Sequence, residues 1–208
     1  MLCGPRAPEQ MNNFTERRLV ATYGTLLFRT DASAQEVFGF ECMDGWADLI
    51  EGSLRLIQRY AELEKSDVKI TQVKEKFGLL RIYQSGGGEN VCQVLDICEL
   101  ASGCVCELCG KAGKLIMLDG WMLTRCDLHG HGSHMEQIEP QIGDGHYISS
   151  YVRTVDSILS FFGADAVRWV QQECIGLGRK RPFEMLGDEE GCLAVYTFLK
   201  RLEFGVGV

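Results

Sequence analysis

The chain has 208 residues, a hydrophobic fraction of 46%, a charged fraction of 24% and a net charge of −8, which is ample for a buried core and ordinary for a globular protein. Residues 1–135 carry 18 acidic and 14 basic residues, and the rest carry 11 and 7, so each part is −4. Neither has the basic surplus that phosphate neutralisation requires, which argues against nucleic acid as a partner.

No apolar run approaches a membrane span, and Met1-Leu-Cys-Gly-Pro-Arg lacks the apolar core of a signal peptide. Met11 is as good a start as Met1, so residues 1–10 read as an upstream extension. The ten cysteines, without an export signal, fit a reduced, cytoplasmic chain in which most are small core residues.

Residues 17–28 read as a helix or a strand. Asp44 is placed as the N-cap of a helix with Trp46, Leu49, Ile50, Leu54, Ile57 and Ala61 on one face. Residues 68–73 and 79–83 read as a β-hairpin, with a turn or bulge at residues 74–78. The Ser85-Gly-Gly-Gly88 run reads as a flexible connection, since no Gly-Lys-Ser/Thr follows it, and Asn90 as the cap of a helix through Ala101.

Cys106-x-x-Cys109, sixteen residues and Cys126-x-x-His129 have zinc-ribbon spacing. Each pair sits on a tight turn that aims two ligands at one point, and zinc takes four such ligands tetrahedrally. Residues 114–118, Asp119-Gly120 and residues 121–125 read as a hairpin carrying the second pair back to the first. Four filled positions leave none for water, so the expected cofactor is a structural zinc. Cys104 is set aside as a ligand because Cys104-x-Cys106 is too tight for such a turn. Asp44-Gly-Trp46, residues 73–81, Cys106-x-x-Cys109-Gly and Arg125-Cys-Asp-x-His129 together resemble a family of small bacterial proteins over roughly residues 38–129, which adds support for the zinc.

Beyond residue 135 a polar linker to residue 148 precedes an all-helical half, with Val155, Ile158, Leu159 and Phe162 at helical spacing, and a last helix built on Cys192, Val195, Tyr196, Leu199 and Leu202. The fold class expected is an α+β N-terminal domain with a zinc-ribbon-like knuckle pair, followed by a small all-α bundle. The domains read as 1–37 (extension and first element), 38–131 (zinc-binding), 132–148 (linker) and 149–208 (helical). Gly132-Ser133-His134-Met135 is the remnant of a common tag-cleavage cloning site and falls at the composition change. It reads as an engineered fusion or two partner proteins in one chain, and His134 is not counted as a ligand.

Phe162-Gly163, Trp169, Leu177-Gly-Arg-Lys-Arg-Pro-Phe-Glu-Met-Leu186, Glu190-Gly191 and the final helix to Val206 resemble the toxin-binding domain of the Xre, MbcA and ParS type antitoxins. The resemblance implies a helical bundle that binds a protein toxin of the NAD-consuming RES class and covers its active site with the C-terminal end. It places Arg179, Arg181, Phe204, Gly205 and Val206 at the partner, in a homo- or hetero-oligomer. The helix-turn-helix that many such antitoxins carry has no counterpart in residues 1–134. No nucleophile, base and orienting group fall together, so no catalytic residue is assigned and the expected function is an antitoxin or immunity-type binding protein, not an enzyme. The alternatives are a zinc-ribbon nucleic-acid regulator using Lys74, Lys76, Arg81, Lys111, Lys114 and Arg125, and a toxin-like first half fused to its inhibitor.

Overall fold

The computed structural model describes residues 10–27, 39–130, 140 and 142–205. The Gly132–Met135 junction and Val206 lie outside them. Among the described residues the chain is α+β, with sheets in the first half and helices alone in the second.

Helix α1 (Asn13–Leu27) is a helix rather than a strand, started by Asn12, whose side-chain oxygen accepts from the N–H groups of Phe14 and Thr15. Strand β1 (Phe40–Glu41) pairs in parallel with β2 (Val68–Lys76), which pairs antiparallel with β3 (Leu79–Gly86). The β2–β3 turn is Phe77-Gly78, both at positive φ, so β2 runs further than the alternation suggested. Helix α2 (Ala47–Glu64) buries Leu49, Ile50, Leu54 and Ile57, as the spacing predicts. Its N-cap is Trp46, not Asp44. Asp44 opens a short 3-10 turn, and its carboxylate accepts from the Asn12 N–H instead.

Helix α3 (Glu89–Ser102) is capped by the Gly88 backbone. Asn90 is already inside it and donates to the Glu64 carboxylate. The glycine run is packed. A Cβ at Gly86 would lie 1.9 Å from the Asp67 carbonyl oxygen, and one at Gly88 2.0 Å from the Glu64 carboxylate. Those glycines let the chain turn against α2, so the run is a fitted corner and not a loose connection.

Strands β4 (Lys114–Leu118) and β5 (Trp121–Arg125) form the expected hairpin, with Leu118 opposite Trp121 and Asp119-Gly120 at φ 50° and 85°. This is the two-residue turn in which Asp-Gly is favoured. Gly120→Val is expected to cost about 1–2 kcal/mol, because a β-branched residue resists left-handed backbone. Gly120 has open space around it, so thermal unfolding of that variant reads backbone strain alone.

In the second half, α4 (Gly145–Phe162) begins earlier than the sequence suggested. Asp144 caps it by accepting from the N–H groups of His146 and Tyr147. Short α5 (Ala166–Val170), three 3-10 turns (Gly163–Asp165, Ile175–Leu177 and Pro182–Met185) and α6 (Glu189–Glu203) complete the bundle. Phe162, Trp169 and Phe198 stack in sequence, with centroids 4.2 and 6.5 Å apart.

The two halves share one hydrophobic cluster, which runs from Leu19 and Trp46 through Tyr151 to Leu199. Helix α4 lies on α2. Gly52 leaves a notch for Tyr151, whose ring would sit 2.7 Å from a Cβ there. The Tyr151 hydroxyl lies 3.3 Å from Ser53 Oγ, Tyr60 donates to Asp156 at 2.9 Å, and Arg59 pairs with Asp156 at 3.1 Å. At the other end, the Asp48 carboxylate accepts from the N–H groups of Gly143 and Asp144, at 2.6 and 2.9 Å.

Candidate metal centre and C-terminal surface

Three tight segments converge where α3 ends. Cys106 follows the last turn of α3, Cys109 closes a turn in which the Gly110 N–H reaches the Cys106 carbonyl, and the β4–β5 hairpin returns Cys126 to the same place. His129 is drawn in by its own N–H, which donates to the Cys126 carbonyl. The ligand atoms of Cys106, Cys109, Cys126 and His129 all lie within 4.8 Å of one another. Cys109 Sγ and Cys126 Sγ are 3.7 Å apart, and His129 Nδ1 stands 3.4 Å from Cys106 Sγ and 3.3 Å from Cys126 Sγ. A tetrahedral ion with metal–sulfur bonds of about 2.3 Å needs sulfur–sulfur edges of about 3.8 Å. The four groups therefore fit a metal ion, with Nδ1 as the imidazole donor. Cys104, buried for the most part, stands outside the cluster, and burial pushes its thiol up to about 11.

The electrostatics favour the metal-binding forms of Cys126 and His129 and oppose that of Cys109. Burial pushes the Cys109 thiol up to about 12, against the Lys111 N–H, which favours the thiolate. For Cys126 burial also acts upward, but the N–H groups of His129 and Leu128 and the neighbouring thiols outweigh it, and the thiol falls below its ordinary value. Burial, then Arg125 and Lys111, lowers His129 and favours the neutral ring that binds metal. Metal uptake must displace at least the Cys109 proton. Acidification is therefore expected to weaken binding, and loading the metal-free protein in weak buffer should release protons that an indicator dye records.

The sequence reading missed the support beneath these ligands. Glu107, inside the first turn, is fully buried and pairs with Arg125, itself 4% exposed. Removing one member of such a pair would leave an uncompensated buried charge. The Gly45 N–H donates to the Glu107 carbonyl, the Trp46 indole donates to the Val105 carbonyl at 2.8 Å, and Thr124 Oγ1 donates to the Gly78 carbonyl. A glutamate between two ligand cysteines, matched by an arginine just before the third, is the one signal that could have shown it. Arg125 is thus spent inside the protein and Arg81 pairs with Glu99, which withdraws both from the basic set considered for nucleic acid.

The residues assigned to the partner lie on the surface of the second half. Arg179 is exposed at φ 63°, in the loop after Ile175–Leu177. Arg181 is exposed as well, at the N-cap position of the Pro182–Met185 turn. Its N–H donates to the Glu184 carboxylate at the start of the Pro182–Met185 turn. Phe204 is 74% exposed and Gly205 lies beside it at the end of α6. The arginine loop and Phe204–Gly205 occupy separate segments, and only the bundle relates them. Among the described residues no helix is long and apolar enough to cross a membrane.

Residues 160–205 match the family model of the antitoxin Xre/MbcA/ParS C-terminal toxin-binding domain. Antitoxin Xre of Yersinia enterocolitica is 37% identical over 62 residues, which are 28% of this chain and 42% of that protein. The chain thus spans less than half the length of the curated relative it matches, and no solved structure matches it. The helical second half of this chain resembles the toxin-binding domain of the Xre, MbcA and ParS antitoxins.

Proposed function

We propose that this protein is an antitoxin or immunity-type inhibitor, with residues 149–208 as the toxin-binding unit and residues 38–131 as its metal-bearing companion. The observation that carries the reading is the family match over residues 160–205, which form a folded bundle with its C-terminal end exposed. The partner is a protein toxin, of the NAD-consuming RES class that the resemblance implies, met by Arg179, Arg181 and the segment from Phe204 to Val206. The metal is zinc, held by Cys106, Cys109, Cys126 and His129 in a structural role, since three thiolates and an imidazole complete a tetrahedral shell.

Co-purification with the product of a neighbouring toxin gene, and loss of that toxin's activity on titration, is the expected outcome. Full toxin activity at saturating inhibitor would sink the reading. Phe204→Asp should leave the fold intact, because the ring is exposed. It is expected to weaken the complex by about 2 kcal/mol, roughly 30-fold in Kd, as buried interface aromatics do.

A further inference from the structure

The metal centre and the toxin-binding bundle touch, and the contacts close a ring. Gly187, between the Pro182–Met185 turn and α6, sits on the entry to the first metal turn. A Cβ there would lie 3.1 Å from the Cys104 carbonyl oxygen and 3.2 Å from a Val105 methyl. Helix α3, which leads into that turn, also packs on Pro182–Met185. From the metal turn the chain of contacts runs to α2 through the Trp46 indole and the Gly45 N–H. It continues through the Asp48 carboxylate to the backbone that starts α4. It closes where the Tyr147 hydroxyl donates to the Leu186 carbonyl at 3.0 Å, one residue from Gly187. The ring surrounds a crevice of about 240 Å³. The start of α6 thus follows a residue seated on Cys104–Val105, the segment that leads into the four-ligand cluster, and the start of α4 is tied into the same ring through Asp48 and Tyr147.

We infer that metal loading regulates the toxin-binding bundle: the occupied centre holds Cys104–Val105 as a seat for Gly187, and loss of the ion frees the Pro182–Met185 turn and the first turn of α6. This rests on the reading of the four ligands as a metal site. Coupling of this kind needs a segment whose position both sites bias, and the seat is that segment.

The experiment is amide hydrogen exchange on the full chain, loaded with zinc chloride or stripped by chelator, with zinc content measured in parallel. The expected result is one zinc per chain. On stripping, exchange at residues 181–195 should rise by about tenfold, within the usual span of coupling between sites, while β2 and β3 keep their protection. Gly187→Val, which lifts the turn off its seat and keeps all four ligands, should retain its zinc. Its zinc-dependent difference at residues 181–195 should shrink to less than about twofold, below that span. Bound zinc whose removal affects only residues 104–130 would overturn the coupling and leave the metal reading standing. Loss of protection throughout the chain would also overturn it, as unfolding and not regulation. A full zinc response in Gly187→Val would overturn the seat as the route. Absence of zinc from the protein would overturn the metal reading, and this inference with it.

Discussion

Cys126→Ser is expected to release the metal and unfold residues 104–130. Structural zinc sites bind with apparent energies of about 10–16 kcal/mol near neutral pH. That is comparable to the ~5–15 kcal/mol by which a whole domain is usually stable. Apart from the Glu107–Arg125 pair and the hydrogen bonds that tie it to Gly45, Trp46 and Gly78, the segment has little apolar core of its own. The cluster around the ligands is Cys106, Cys109 and Cys126 with half-buried Leu108, and Leu115, Met117, Trp121 and Met122 of the hairpin are exposed. Elemental analysis should read no zinc in Cys126→Ser and one per chain in Cys104→Ser, whose thiol stands apart from the cluster. A variant at residue 126 that keeps its zinc would show that another group completes the shell.

Tyr151→Ala is expected to destabilise the entire chain by about 3–5 kcal/mol, as loss of a buried aromatic does. Tyr151 is fully buried, and the Gly52 notch cannot collapse onto the space without moving α2. Tyr151→Phe isolates the hydroxyl and should cost only about 1 kcal/mol. Ser53 Oγ keeps its bond to the Leu49 carbonyl, so nothing is orphaned there. Two indoles report on the two halves, Trp46 in the first and Trp169 in the second. Both should lose their native signal at one denaturant concentration, shifted equally in the variant, since one cluster joins them. A first half that unfolds normally while the second melts early would disprove the shared core.

The clustering of Cys106, Cys109, Cys126 and His129 and the hairpin between the pairs were legible in the sequence because local chemistry fixes them. Asp119-Gly120 supplies the two positive φ angles a tight turn needs, and paired Cys-x-x spacings aim their side chains without help from the rest of the fold. The apolar faces of α2 and α4 were legible for the same reason, through their 3.6-residue period. What lay hidden depends on distant partners. Gly52 inside a helix reads as a propensity cost, and only Tyr151, almost a hundred residues on, explains it. Asp48, in the first turn of α2, is 7% exposed and satisfies the start of α4, ninety-five residues on. Burial raises its pKa against those two N–H bonds, so it is a joint placed at some electrostatic cost. Glu107, between two of the clustered cysteines, is fully buried and pairs with Arg125 from the far end of the hairpin. The start of α4 was missed because glycines and polar residues at 143–146 read as linker until Asp144 is seen as a cap.

The notch at Gly52 also bears on how such proteins can be recombined. A bundle grafted onto this first half must bring an aromatic ring at the Tyr151 position, and a first half offered to this bundle must lack a Cβ at the Gly52 position. Exchange of either half is therefore limited by a fitted pair of residues where the two halves meet, Gly52 on one and Tyr151 on the other.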